Sequence, residues 1–146
     1  MICIDANVAA LTIVPGQYSE KALALLTACD AEDLMVIAPP LLPIEITNFI
    51  RQLMRRSDLS IRDAQTLLAR LLAVRITLVA PDGLYAEALA IAYRHGLPAV
   101  YDAHYLAVAE LNFCPLWTDD RRLLRSLGGR VERVHWIGDY VGNPIP

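Results

Sequence analysis

Short apolar runs alternate along the whole chain with segments of helical periodicity, and that alternation constrains the fold more than any other feature. The strand-like runs are Met1–Asp5, Leu34–Ala38, Ile76–Val79, Ala99–Tyr101, Leu116–Thr118 and Val131–Trp136. Each is too short for a helix and is bounded by turn formers or caps. Ser19 is placed to cap a helix that runs to about Cys29. Another helix starts near Pro43, a residue the first helical position tolerates. Its apolar side carries Ile46, Phe49, Ile50 and Leu53, and its polar side Glu45, Asn48, Gln52 and Arg56. Ser60 opens the next helix, with Asp63 three residues on as in a capping box. Asp82–His95 reads as a helix stopped by Gly96, Asp102–Leu111 as another, and Asp120–Leu127 as a last one stopped by Gly128-Gly129. Repeated strand–helix crossovers predict a three-layer α/β/α sandwich with a mainly parallel central sheet. No repeat, linker or low-complexity segment interrupts the pattern, so residues 1–146 read as a single domain.

Three of the apolar runs end in an acid: Ile-Cys-Ile-Asp5, Ala-Val-Tyr-Asp102 and Leu-Trp-Thr-Asp119-Asp120. Parallel α/β sheets build their sites at the carboxyl ends of such strands. If the runs are neighbours, their acids converge on one sheet edge, and Glu45 in the first turn after Pro43 reaches the same place. Clustered carboxylates repel one another unless a cation neutralises them. Hard divalent cations take carboxylate oxygens as ligands, so the cluster points to Mg²⁺ or Mn²⁺ and to phosphoryl chemistry.

Composition sets further bounds. Hydrophobic residues make up 55% and charged residues 20%, which excludes a disordered chain. No apolar run is long enough for a membrane span, and no signal peptide precedes the first strand, so a cytoplasmic protein is expected. Cys3, Cys29 and Cys114 fit no zinc spacing and read as reduced, buried thiols. The net charge of −3 argues against a module that holds nucleic acid by charge alone. It suits a nuclease whose acids are neutralised by metal. Lys21 is the one lysine among thirteen cations. Arginine favours bidentate phosphate contacts, although a high-GC genome explains the same bias.

Four segments resemble the signature blocks of PIN domains: Ile2-Cys3-Ile4-Asp5-Ala6-Asn7, Pro43-Ile44-Glu45-Ile46-Thr47-Asn48, Val100-Tyr101-Asp102-Ala103-His104-Tyr105-Leu106-Ala107-Val108-Ala109 and Trp117-Thr118-Asp119-Asp120-Arg121-Arg122-Leu123. The branch they look like is the VapC toxins of bacterial toxin–antitoxin pairs, and the likeness extends to Val134–Tyr140. Two positions depart from the pattern. Trp117 stands where a small aliphatic residue is usual, and Asp119 adds an acid beside Asp120. The resemblance implies a metal-dependent endoribonuclease leaving a 5′-phosphate and a 3′-hydroxyl. Asp5, Glu45, Asp102 and Asp120 are then the catalytic acids, with Asp5, Asp102 and Asp120 holding the metal. It also implies a cognate antitoxin, which in such pairs can insert an arginine among the acids, and a homodimer.

Each residue also has a plainer reading. Asp5 ends a strand and caps the turn that follows, Asp102 and Asp120 are good helix caps, and capping is compatible with ligation. Glu45 complements the positive end of its helix, but Ile44 and Ile46 flank it and suggest partial burial. Asn7 and Thr118 contact substrate or steady the acids, or are an ordinary turn and strand residue. Arg121, Arg122 and Arg125 follow the last acid. Arg121 and Arg122 are the candidate phosphate contacts, against a solvated helix face. His104 offers only a weak case, and Trp117 and Trp136 read as core. Leu41, Leu42, Leu59 and Ile61 form either an apolar groove for a partner helix or core. Three other functions share the pattern: a housekeeping RNA-processing nuclease, a non-catalytic interaction module, and an aspartate-dependent phosphatase. Ala6 and Asn7 after Asp5 count against the phosphatase.

Overall fold

The computed structural model describes residues 1–142. Five short strands, β1 (Ile2–Ile4), β2 (Val36–Ala38), β3 (Thr77–Leu78), β4 (Leu116–Thr118) and β5 (Val134–Trp136), form one sheet in which every pairing is parallel. Seven helices connect and cover it: α1 (Ala6–Leu11), α2 (Ser19–Ala31), α3 (Leu42–Arg56), α4 (Ile61–Leu72), α5 (Leu84–His95), α6 (Tyr101–Leu111) and α7 (Arg121–Leu127). The α/β class with a parallel sheet is as expected.

Strand order is β3-β2-β1-β4-β5. The chain lays β2 and β3 outward on one side of β1, then crosses back to lay β4 and β5 on the other. The direction of winding therefore reverses between β1 and β4. In open parallel sheets a crevice opens beyond the carboxyl ends at that switch point, and ligands bind there.

The central strands are apolar on both faces because helices cover both. Ile2, Cys3, Ile4, Ile37, Ala38 and Leu116 are fully buried. All three cysteines are buried free thiols. The α6 helix is apolar nearly all round, with Ala103 and Tyr105–Ala109 buried against β1 and β4. Trp117 is core, packed near His135 and Tyr140. Among the described residues no helix is long and apolar enough to cross a membrane.

Several local expectations change. Ser19 is not a cap; Tyr18 precedes α2, and the Ser19 hydroxyl accepts from Gly16 N instead. Ser60 does cap α4, its Oγ accepting from Asp63 N while its hydroxyl donates to Asp63 Oδ2. A helix unforeseen in the sequence, α1, follows Asp5 at once. The apolar run Ala99–Tyr101 is not a strand. Val100 has helical dihedrals and Tyr101 already begins α6. A run of three apolar residues has no period of its own, and the length of the buried helix behind it decides.

Candidate active site

Asp5 and Asp120 are set by the sheet. Register pairs Ile4 with Trp117, so Asp5 leaves β1 beside Thr118 at the end of β4. The Thr118 hydroxyl donates to Asp5 Oδ2 at 2.5 Å and accepts from Asp120 N at 2.8 Å. Asp5 Oδ1 accepts from Val8 N at 2.8 Å and so caps α1. Asp120 caps α7, its Oδ1 accepting from Arg122 N and Leu123 N. The caps and the acids are the same residues, as their positions just before helices allow.

Glu45 and Asp102 come from helices. Glu45 lies in the first turn of α3 and its Oε2 accepts from the Tyr105 hydroxyl at 2.5 Å. Glu45 is half-buried; of the two isoleucines beside it, Ile46 is buried and Ile44 is 66% exposed. Asp102 sits in the first turn of α6 rather than at its cap or at a strand end. It reaches the site because α6 packs against β1 and β4.

All four acids line one cleft of about 380 Å³ at the switch point, with Asn7, Asn48, Gln52 and Arg122 around them. Burial pushes the Asp5 carboxyl up from 3.8 to about 7, opposed by its two hydrogen bonds and assisted by the charges of Asp119 and Asp120. Burial likewise raises Glu45, with Tyr105 opposing and Asp102 assisting. It raises Asp102 too, with Asp120 assisting and Arg122 opposing. The Tyr105 hydroxyl is pushed far up by its own burial and by Glu45, so it stays a donor. Arg122 is the one cation lining the cleft, 3.7 Å from Asp120 Oδ1 and largely in solvent, where such a pair contributes little.

The donor set fits a hard divalent cation. It consists of carboxylate oxygens without thiol or imidazole, and its charges are desolvated with no internal cation to match. Among the described residues no three His, Cys, Asp or Glu side chains are already drawn into a ready ligand set. The acids face one cleft without closing on a point.

The remaining candidates separate. Asn7 is exposed on α1 and lines the cleft. Thr118 is fully buried, with its hydroxyl engaged by Asp5 and Asp120, so it positions the acids instead of meeting substrate. Arg122 lines the cleft, whereas Arg121 turns away. Arg121 Nη2 donates to Tyr18 OH at 2.8 Å, and its guanidinium lies 4.3 Å from the centre of the Trp136 ring. Trp136 is half-buried, and its Nε1 donates to Asp119 Oδ1 at 3.3 Å. Asp119 is thus held away from the cleft that Asp120 lines. His104 bonds the Val100 carbonyl through Nδ1 and does not line the cleft. Sequence reasoning gives no role to Tyr105, three residues after Asp102 and hence on the same side of α6. Nor does it give one to Asn48 and Gln52, which stand on the Glu45 side of α3.

A second cleft, of about 440 Å³, lies at the amino ends of β2 and β3, lined by Leu26, Cys29, Asp30 and Arg75 among others. Its acid Asp30 is already paired with Arg75 at 2.8 Å, and it lies at the end of the sheet where such folds do not build sites.

Comparison with known proteins agrees with this architecture. No curated protein matches the chain. Among solved structures, the crystal structure of FitAcB from Neisseria gonorrhoeae superposes with a TM-score of 0.59 at 22% identity. The alignment covers 88% of this chain and 94% of that one, a likeness of fold. The sequence model of the PIN domain matches residues 2–128, a span that contains all four cleft acids, both asparagines at the rim and the whole of β1 to β4. PIN domains are generally nucleases that use divalent metal ions. With its acids gathered where the winding of a parallel sheet reverses, this chain belongs to the PIN domain family.

Proposed function

We propose that the protein is a metal-dependent endoribonuclease and the toxin of a toxin–antitoxin pair. The observation that carries the nuclease reading is the convergence of Asp5, Glu45, Asp102 and Asp120, from four separate elements, on one cleft with a single cation at its rim. Asp5, Asp102 and Asp120 would hold one or two Mg²⁺ or Mn²⁺ ions, with Glu45 beside them. When bound, a divalent ion supplies Lewis-acid stabilisation of the phosphodiester and a more acidic water.

The chain's own groups do the rest. Thr118 and the first amides of α1 and α7 fix Asp5 and Asp120 in place. Among the described residues Glu45 Oε1 has no protein donor while Tyr105 holds Oε2, and its raised pKa suits it to accept a proton from the attacking water. Arg122 and the Asn7 amide face the cleft and supply donors to the phosphate oxygens. No covalent enzyme intermediate is needed.

Surface chemistry supports the partners. Of the groove residues named from sequence, Leu42 is core, Leu41 and Leu59 pack partly against it, and only Ile61 is exposed. Apolar surface is nevertheless present: Leu72 and Leu78 are 50 and 45% exposed and line a small cavity between α3, α4 and β3. It suits an amphipathic antitoxin segment. On α5, Tyr85, Leu89 and Tyr93 recur every four residues at 69, 65 and 91% exposure, a row suited to a second copy of the chain.

The test is cleavage of a labelled structured RNA by antitoxin-free protein in Mg²⁺, Mn²⁺ or EDTA, beside Asp5→Asn. Cleavage should require the metal and fall at least about a hundredfold in the variant, since several kcal/mol of charge stabilisation is lost. Full cleavage by the variant, or in EDTA, rejects the assignment.

A further inference from the structure

We propose that the exposed basic side of α3 is a substrate-holding lane, built by Asn48, Arg51, Gln52 and Arg55, that carries the RNA backbone away from the acid cleft. The inference rests on the nuclease reading and adds to it where the strand beyond the cut site runs. Asn48 and Gln52 line the acid cleft, and the same two residues line an adjoining groove with Arg51, Arg55 and Arg56. The two depressions are therefore one continuous surface. Spacings of three and four residues put these side chains on one side of the helix. From Asn48 to Arg55 the helix rises about 11 Å, which is the span of more than one backbone phosphate.

Charge fits the same occupant. Arg51, Arg55 and Arg56 are exposed, and among the described residues none of them pairs with an acid. In a chain of net charge −3, three unpaired arginines within two turns form a local positive field next to the deepest acid cluster. Arg55 and Arg56 also complement the negative end of α3, but Arg51 lies before the last turn, where that effect has faded. Guanidinium groups grip phosphates through two parallel bonds. The amides of Asn48 and Gln52 offer donors and acceptors to the sugar and base edges nearest the cut. A polyanion entering a cleft of four carboxylates needs positive charge alongside it, and Arg122 alone supplies little.

The experiment is fluorescence anisotropy of a labelled mixed-sequence single-stranded RNA titrated with Asp102→Asn protein, so that cutting does not disturb binding. The same protein carrying Arg51→Gln and Arg55→Gln is the comparison; glutamine keeps the helix propensity of arginine. Affinity at low salt should fall at least about tenfold. The slope of log affinity against log salt should shrink by about 1.4, since each lost phosphate contact removes about 0.7. With Asp102 intact, the paired change should raise KM and leave kcat in place, the sign of contacts made equally before and during the reaction. Unchanged affinity and slope, with a native circular dichroism spectrum, overturn the lane and leave the nuclease standing. If these arginines instead hold a purified acidic partner protein while RNA affinity is unchanged, the lane is equally overturned. A parent protein that neither binds nor cuts RNA removes the nuclease reading and the lane together.

Discussion

The two halves of the acid cleft are built differently. On the strand side, Asp5 is only 6% exposed and both its oxygens accept hydrogen bonds, while Asp120 is held by two amides of its own helix. On the helix side, Glu45 and Asp102 are half-buried. Glu45 has one donor, from Tyr105, and Asp102 has no side-chain hydrogen bond among the described residues. Adjacent parallel strands fix their ends to each other through register, so a residue one step past a strand inherits that precision. A helix presents its first turn only as accurately as its packing allows. The strand side is therefore preorganised at a cost in desolvation, and the helix side has freedom to close on whatever fills the cleft.

The largest expected effect is the stability consequence of that cost. Folded Asp5 holds its proton up to about pH 7, whereas a free aspartate loses it near 3.8. The folded chain without metal is thus favoured below about pH 4 and loses that advantage as pH rises through 7. Three units amount to about 4 kcal/mol, or on the order of 10 °C in melting temperature. Glu45 and Asp102, raised for the same reason, act in the same direction. Metal-stripped protein should melt markedly higher at pH 5 than at pH 8, Mg²⁺ should restore the loss at pH 8, and Asp5→Asn should make the profile shallower. A melting temperature independent of pH, or a pH slope as steep in Asp5→Asn as in the parent, would contradict the account of the strand side.

A smaller effect distinguishes the halves directly. Thr118→Val keeps the shape but removes the donor to Asp5 and leaves Asp120 N without its acceptor. Groups that orient metal ligands are worth about 10- to 100-fold when removed, so cleavage should fall within that range. Stability should fall by about 1–3 kcal/mol for the orphaned amide. Tyr105→Phe removes the donor to Glu45 on the compliant side and should cost about tenfold, at the low end of the same range. Rates measured at saturating metal would sink the comparison if Tyr105→Phe proved the more damaging.

The strand side is also the more legible half. Asp5, Thr118 and Asp120 follow short apolar runs, and β4 has the bounds the sequence indicates. Asp102 lines the cleft by another local route than the sequence suggests, since its apolar run begins a helix. The sequence argument for Glu45 leans on Ile44 and Ile46, of which Ile44 faces solvent and only Ile46 is buried. The polar side of α3 with Glu45, Asn48 and Gln52 is legible from its period, but its meaning, like that of Tyr105, depends on which helices face each other across the cleft. That is set by packing at long sequence separation, and no local period encodes it.

The smallest effect concerns two neighbours with opposite fates. Asp120 lines the cleft and caps α7, whereas Asp119 accepts from Trp136 Nε1 within the group formed by Trp136, Tyr18 and Arg121. An asparagine in place of Asp119 would still accept that indole bond, because its carbonyl oxygen can occupy the same place. Asp119→Asn should therefore leave cleavage within about twofold, as for a substitution worth no more than about half a kcal/mol. The charge it removes lies near Asp5 and raises that carboxyl, so its loss should move the low-pH limb of the cleavage profile slightly downward. Asp120→Asn should lose cleavage as Asp5→Asn does. Parallel pH profiles of the two variants decide the matter: if Asp119→Asn loses metal-dependent cutting and Asp120→Asn keeps it, the indole-held acid belongs to the metal site and the division between the halves is drawn in the wrong place.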